Sequence, residues 1–198
     1  MKRICRYLQG TKDNGIVFNP SKKLVVDCYA DADFAGLWGH EDTQDPICAR
    51  GRTVFVVNFS NCPLLWVSKL QIEIALSTLH SEYMALSHSV RALLPLKSII
   101  KEVIDSLEID CENLKFVSSS NIYEDNNGEM VVATSPRMTP TSKHIVVKYH
   151  WFMQHVGKKF MILKIESENQ KADIFTKGLQ GQKFVSIRKL LCGWQVFR

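Results

Sequence analysis

The sequence predicts a single α/β domain built on a mixed β-sheet. Three observations predict it: three successive short runs rich in β-formers, a long stretch at helical period, and then a return to strand, helix, strand and helix. The length of 198 residues suffices for one domain with a substantial core and is short for two large ones. A hydrophobic share of 45% and a charged share of 23% are those of a globular protein, and no Pro/Gly/Ser tract or internal repeat argues otherwise.

Taken in order, Met1 to Leu8 carries Ile4, Tyr7 and Leu8 at helical spacing with Gly10 as a stop, and reads as a short helix. Leu24 to Ala30 (LVVDCYA) is a β-rich run that ends at Asp31-Ala32-Asp33, and reads as the first strand. Thr53 to Phe59 and Leu64 to Val67 are two further strands, with hairpin chemistry in Ser60-Asn61-Cys62-Pro63 between them. From Thr78 to about Leu107, Leu79, Tyr83, Leu86 and Val90 share one helical face, and Pro95 divides or bends the helix. A strand follows at either Leu114 to Val117 or Ile122 to Tyr123, then a short helix after Asp125 and another from about Lys143 to Val156. Phe160 to Ile165 reads as a fifth strand, and two short helices close the chain.

Composition narrows the function classes. The net charge of +5 is concentrated at the ends, in Lys2, Arg3 and Arg6 and in Lys183, Arg188, Lys189 and Arg198, and fits a polyanionic partner. Six cysteines stand without a C-x-x-C pair, several in apolar runs, which suits a reducing cytoplasmic or nuclear setting. Neither a signal-peptide core nor a run of ~18 uncharged apolar residues occurs, so secretion and membrane contact are not expected. The scattered His150 and His155 lack the paired cysteines of a zinc finger, and no G-x-S-x-G or His-paired Cys motif supports a nucleophilic mechanism.

Four acids carry the chemical expectation: Asp31 after the first strand, Glu82 early in the long helix, Asp125 after Ile122-Tyr123-Glu124, and Asp173 after the fifth strand. The crevice at strand ends is where α/β sheets bind ligands. Carboxylates gathered there repel one another unless cations neutralise them, and hard oxygen ligands suit Mg²⁺ or Mn²⁺. Taken singly, each acid is better explained as a solvated turn or helix-end residue.

Six motifs in order add to this reading. They are Tyr29-Ala30-Asp31-Ala32-Asp33-Phe34-Ala35-Gly36, Ala75-Leu76-Ser77-Thr78 with Ser81-Glu82-Tyr83-Met84-Ala85-Leu86, Glu124-Asp125-Asn126-Asn127, Ser142-Lys143-His144-Ile145, Lys148-Tyr149-His150, and Ala172-Asp173-Ile174-Phe175-Thr176-Lys177. Together they resemble the ribonuclease H domain of copia-type retrotransposon Pol polyproteins, from about Leu24 to Leu191. The resemblance implies a ribonuclease H-like fold, a five-stranded mixed sheet with helices on both faces. It places a remnant of the preceding reverse-transcriptase region at residues 1–20 and the ribonuclease H-like domain at 21–198, once fused to reverse transcriptase and integrase.

By the same resemblance, Asp31, Glu82, Asp125 and Asp173 are catalytic and hold two Mg²⁺ or Mn²⁺ ions, with Asp31 bridging both. The reaction implied is metal-dependent hydrolysis of the RNA strand of an RNA–DNA hybrid by a monomer. Lys143, His144 and Lys148, on or before one helix, together with Asn126 and Trp38, are the candidates for touching nucleic acid.

The sequence departs from the family pattern in places. Glu166 to Gln170 holds no His, His80 stands where an acid is frequent, the Gly-aromatic step of the second strand is Val54-Phe55, and Gly178 replaces a Pro. These departures leave every proposed ligand intact and motivate a rival reading, a catalytically inactive relic that keeps the fold with or without nucleic-acid binding.

Overall fold

A computed structural model describes residues 2–37, 44–107, 115–125 and 150–194. Its centre is a five-stranded sheet in the order β4-β3-β2-β6-β7, formed by β2 (Val26–Asp33), β3 (Arg52–Phe59), β4 (Cys62–Leu70), β6 (Ser120–Glu124) and β7 (Phe160–Lys164). β3 runs antiparallel to β2 and β4, while β2, β6 and β7 are parallel. Two short strands, β1 (Lys23–Leu24) and β5 (Lys115–Phe116), pair separately. Both alternatives for the fourth predicted strand therefore form, the first only as the β5 fragment. The meander on one side and the parallel crossovers on the other make up the ribonuclease H-like fold that the sequence implies.

The hairpin between β3 and β4 turns on Ser60 and Asn61, both at positive φ (51° and 71°), as a tight two-residue turn needs. β4 accordingly begins at Cys62, two residues before the expected strand, and it tolerates Pro63 because it lies at the sheet edge.

One face of the sheet carries α2 (Thr78–Ser106); the other carries α3 (Asp173–Thr176) and α4 (Gly181–Cys192). Strand alternation sorts the side chains: Val26, Cys28 and Ala30 enter the core with Phe55, Val57 and Ile122, against Tyr83, Leu86, Val90 and Leu93 of α2. Phe152, in the 3-10 helix His150–His155, packs 5.3 Å from the Tyr83 ring and closes this core. Pro95 lies inside α2 without dividing it. Leu93 is fully buried and Leu94, Leu96 and Ile100 pack on the core, so apolar contact on both sides of the proline offsets the lost backbone bond.

α2 starts at Ser77, whose hydroxyl accepts from His80 N at 3.1 Å. His80, where the resemblance would have an acid, accepts from Leu76 N at 3.2 Å and helps shape this entry. A buried polar network ties the entry to the sheet: Ser81 Oγ donates to Asp33 O at 3.2 Å, and Gln71 Nε2 donates to Ser81 O at 2.9 Å. Gly51 sits against it, and a Cβ there would clash with the Asp33 carbonyl and stand 2.7 Å from Ser81 Oγ. Gly51→Ala should therefore cost about 2–3 kcal/mol by overpacking. A thermal melt equal to the parent's would show that the network yields freely.

The short helix α1 (Lys2–Gly10) forms as expected and buries none of its residues; Ile4 and Leu8 are exposed. The two chain ends meet beyond it, with Val17 N donating to Cys192 O and Trp194 Nε1 to Gly15 O. The described cysteines are all free thiols, and no described helix is long and apolar enough to cross a membrane. Of the helix expected over Lys143 to Val156, only the portion from His150 is described, and it is 3-10 in character. The helix expected after Asp125 lies outside the described residues.

Candidate active site

Asp31 is set by β2, whose alternation puts Asp27, Tyr29, Asp31 and Asp33 on the face opposite the α2 core. Asp31 is buried, and Thr176 Oγ1 donates to its Oδ2 at 2.5 Å. Burial, with Asp173 adding to it against Lys177 and the Thr176 hydroxyl, pushes its carboxyl up to about 7. Asp33 lies further out on the same face, in register with Arg52.

Asp173 begins α3 and is fully buried. Both of its oxygens are ion-paired, Oδ1 with Lys177 Nζ at 2.8 Å and Oδ2 with Lys183 Nζ at 2.6 Å. Lys177 reaches toward Asp31 as well, at 3.9 Å, and although burial opposes its charge, Asp173 and Asp31 raise its pKa. Asp125, just past β6, accepts from Ser167 Oγ at 2.7 Å.

Glu82 comes from the other face, in the first turns of α2. It is buried, its Oε2 has no hydrogen-bond partner, and burial pushes its carboxyl up to about 10, reinforced by Glu124, Asp31 and Asp125. The fold thus draws the four expected acids to one end of the sheet, around the carboxyl ends of β2 and β6. The nucleic-acid candidates Trp38, Asn126, Lys143, His144 and Lys148 lie outside the described residues.

Over 93% of its length the chain is 28% identical to the retrovirus-related Pol polyprotein from transposon RE2 of Arabidopsis thaliana, and it spans 12% of that protein. Against the corresponding polyprotein from transposon TNT 1-94 of Nicotiana tabacum, identity is 29% over 96% of the chain and 13% of the relative. The chain is thus similar to transposon Pol polyproteins along nearly all of its own length. No protein-family model matches the sequence. Among solved structures, the N-terminal ribonuclease H domain of Rv2228c from Mycobacterium tuberculosis superposes with a TM-score of 0.47 and 11% identity, over 84% of this chain and 97% of that one. The strand order, and not that likeness, carries the fold assignment.

The sequence reading missed one acid. Glu124 is fully buried on the α2 face, in step with Ser120 and Ile122, and it outranks Asp31 and Asp125 among the charges that raise Glu82. Its Oε1 accepts from Asp125 N at 3.1 Å. The alternation of β6 was the available signal: counting back from Glu124 reaches Ile122, a core position. Lys177 and Lys183 were missed as well, the first inside a quoted motif and the second on a terminal helix read only for its charge.

The donor set fits a hard divalent cation by its chemistry. All the donors are carboxylate oxygens, Asp31, Glu82 and Asp173 are buried while Asp125 is half-buried, and one Glu82 oxygen has no partner. Geometry adds a restriction: among the described residues no three His, Cys, Asp or Glu side chains are placed to hold one metal ion.

Proposed function

We propose that this domain hydrolyses phosphodiester bonds in the RNA strand of RNA–DNA hybrids, with Mg²⁺ or Mn²⁺ held by Asp31, Glu82, Asp125 and Asp173. The observation that carries the reading is the convergence of these acids, three of them buried, at the strand ends of a ribonuclease H-like fold whose sequence is similar to transposon Pol polyproteins. Divalent ions there would supply a water nucleophile of lowered pKa and neutralise charge on the leaving oxygen.

The chain's own groups do the remaining work. Thr176 fixes the Asp31 carboxylate through its hydroxyl, and Ser167 does the same for Asp125. The Lys177 and Lys183 ammonium groups orient Asp173 and present positive charge where a phosphate would approach. Recognition of RNA would rest on 2′-hydroxyl contacts across the wide minor groove, for which Trp38, Asn126, Lys143, His144 and Lys148 are the proposed residues. The domain would act as a monomer in the cytoplasm or nucleus.

A second reading, an inactive relic that keeps the fold, is favoured by a specific observation: both Asp173 oxygens are already occupied by lysines. An end-labelled hybrid incubated with the purified chain in Mg²⁺ or Mn²⁺ separates the two. Loss of the RNA strand with the parent and not with Asp31→Asn supports the nuclease. An intact strand with a folded parent supports the relic.

A further inference from the structure

On the face of the sheet opposite α2, a cleft of about 640 Å³ opens between the strands, the segment after β7 and helix α4. Its size is that of small-ligand sites. Tyr29 and Tyr123, paired in register on β2 and β6, form an aromatic patch in its lining, their rings stacked 4.8 Å apart at 28°.

Lys171 is 8% exposed, yet it lines this cleft with its Nζ 4.8 Å above the Tyr29 ring. Among the described residues no carboxylate stands within ion-pair distance of it, and Asp27 favours its charge only from beyond that distance. A lysine this deeply withdrawn from water is costly unless something anionic completes it. Lys189 of α4 supplies a second ammonium in the same lining, and Asn19 and Asn169 add carboxamides that can both donate and accept. None of these groups belongs to the carboxylate cluster.

We propose that this cleft binds a nucleotide through its phosphate, with the phosphate between Lys171 and Lys189 and the base against the Tyr29–Tyr123 patch. Charge complementarity decides for a phosphate, and the tyrosine rings with the flanking carboxamides decide for an attached base. The phosphate belongs either to a free nucleotide or to the 5′ end of a nucleic-acid strand.

Titration calorimetry in metal-free buffer with chelator tests this, using adenosine 5′-monophosphate, inorganic phosphate, and a short single strand with and without a 5′-phosphate. The parent should bind the nucleotide at sub-millimolar concentration and more tightly than inorganic phosphate. Lys171→Met should weaken it by about tenfold or more. Lys189→Gln, at an exposed position that folding does not depend on, should weaken it in the same direction. Tyr123→Leu should weaken the nucleotide about fivefold while leaving inorganic phosphate unaffected. Preference for the 5′-phosphorylated strand over the free nucleotide would identify a strand end as the source, and the reverse a free nucleotide. Failure of the parent to bind any of the phosphorylated probes would overturn the proposal, as would Lys189→Gln binding as tightly as the parent.

Discussion

Asp125→Asn will abolish cleavage of the RNA strand, by a factor on the order of a thousand or more, while hybrid affinity stays within about threefold of the parent's. The substitution keeps the shape of the side chain and an oxygen able to accept from Ser167 Oγ, so the loop after β6 keeps its anchor. It removes a negative charge from the end of the sheet where Glu82, Glu124 and Asp31 already repel one another. What is lost is therefore the capacity to bind and use a cation, with the backbone left in place. Rate and affinity measured on the same preparation decide it. Activity that survives would remove Asp125 from the site, and affinity lost in step with activity would mean that the residue serves binding.

Divalent cations will stabilise the domain, and more so at pH 8 than at pH 5. In the folded chain burial raises Asp31 to about 7 and Glu82 to about 10, above their unfolded values of about 4. The folded state thus holds these protons more tightly than the unfolded one. The associated stability is fully present below the unfolded values and is lost as pH rises through the folded ones, through about 7 for Asp31 and onward to about 10 for Glu82.

Without metal, the melting temperature should therefore fall from pH 5 to pH 8. Between pH 5 and its folded value of about 7, Asp31 alone sets a ceiling of about 3 kcal/mol, and relaxation of the cluster with Lys177 nearby brings the expected loss to about 2 kcal/mol. For a chain of this size that corresponds to about 4–8 °C. Millimolar Mg²⁺ should restore most of it at pH 8 and little at pH 5, where protons already neutralise the cluster. A metal-free melting temperature that does not change over this range, or a Mg²⁺ shift equal at both pH values, would contradict the placement of these acids.

Much of the architecture was legible in local pattern. The run Leu24 to Ala30 alternates core and opposite-face residues, and β2 follows it, extending through Asp33 because Arg52 to Phe59 pairs along its whole length. Ser60-Asn61 announced the hairpin. Pro95 was read as a break or bend, but burial of Leu93 outweighs one missing hydrogen bond and α2 continues through it.

The site was legible in part. Asp31, Glu82, Asp125 and Asp173 were proposed from strand ends and motif order, and the fold brings them to one end of the sheet. Glu124, Lys177 and Lys183 were not identified, and neither was Lys171 in the cleft. Each matters through a neighbour on another element: Glu124 through Glu82, Lys183 through Asp173 and Lys177 through Asp31.

By itself, then, the sequence determined the kinds of element, most of their positions and the acids available for chemistry, because periodicity and turn chemistry are properties of contiguous residues. Only the tertiary structure decided which of those groups lose water and which acquire a partner. Crossovers put β2 beside β6, and they fold α3 against β2 and β3 and α4 against β4. Desolvation, and with it every shifted carboxyl and the buried lysine of the cleft, exists only once those elements have closed on one another.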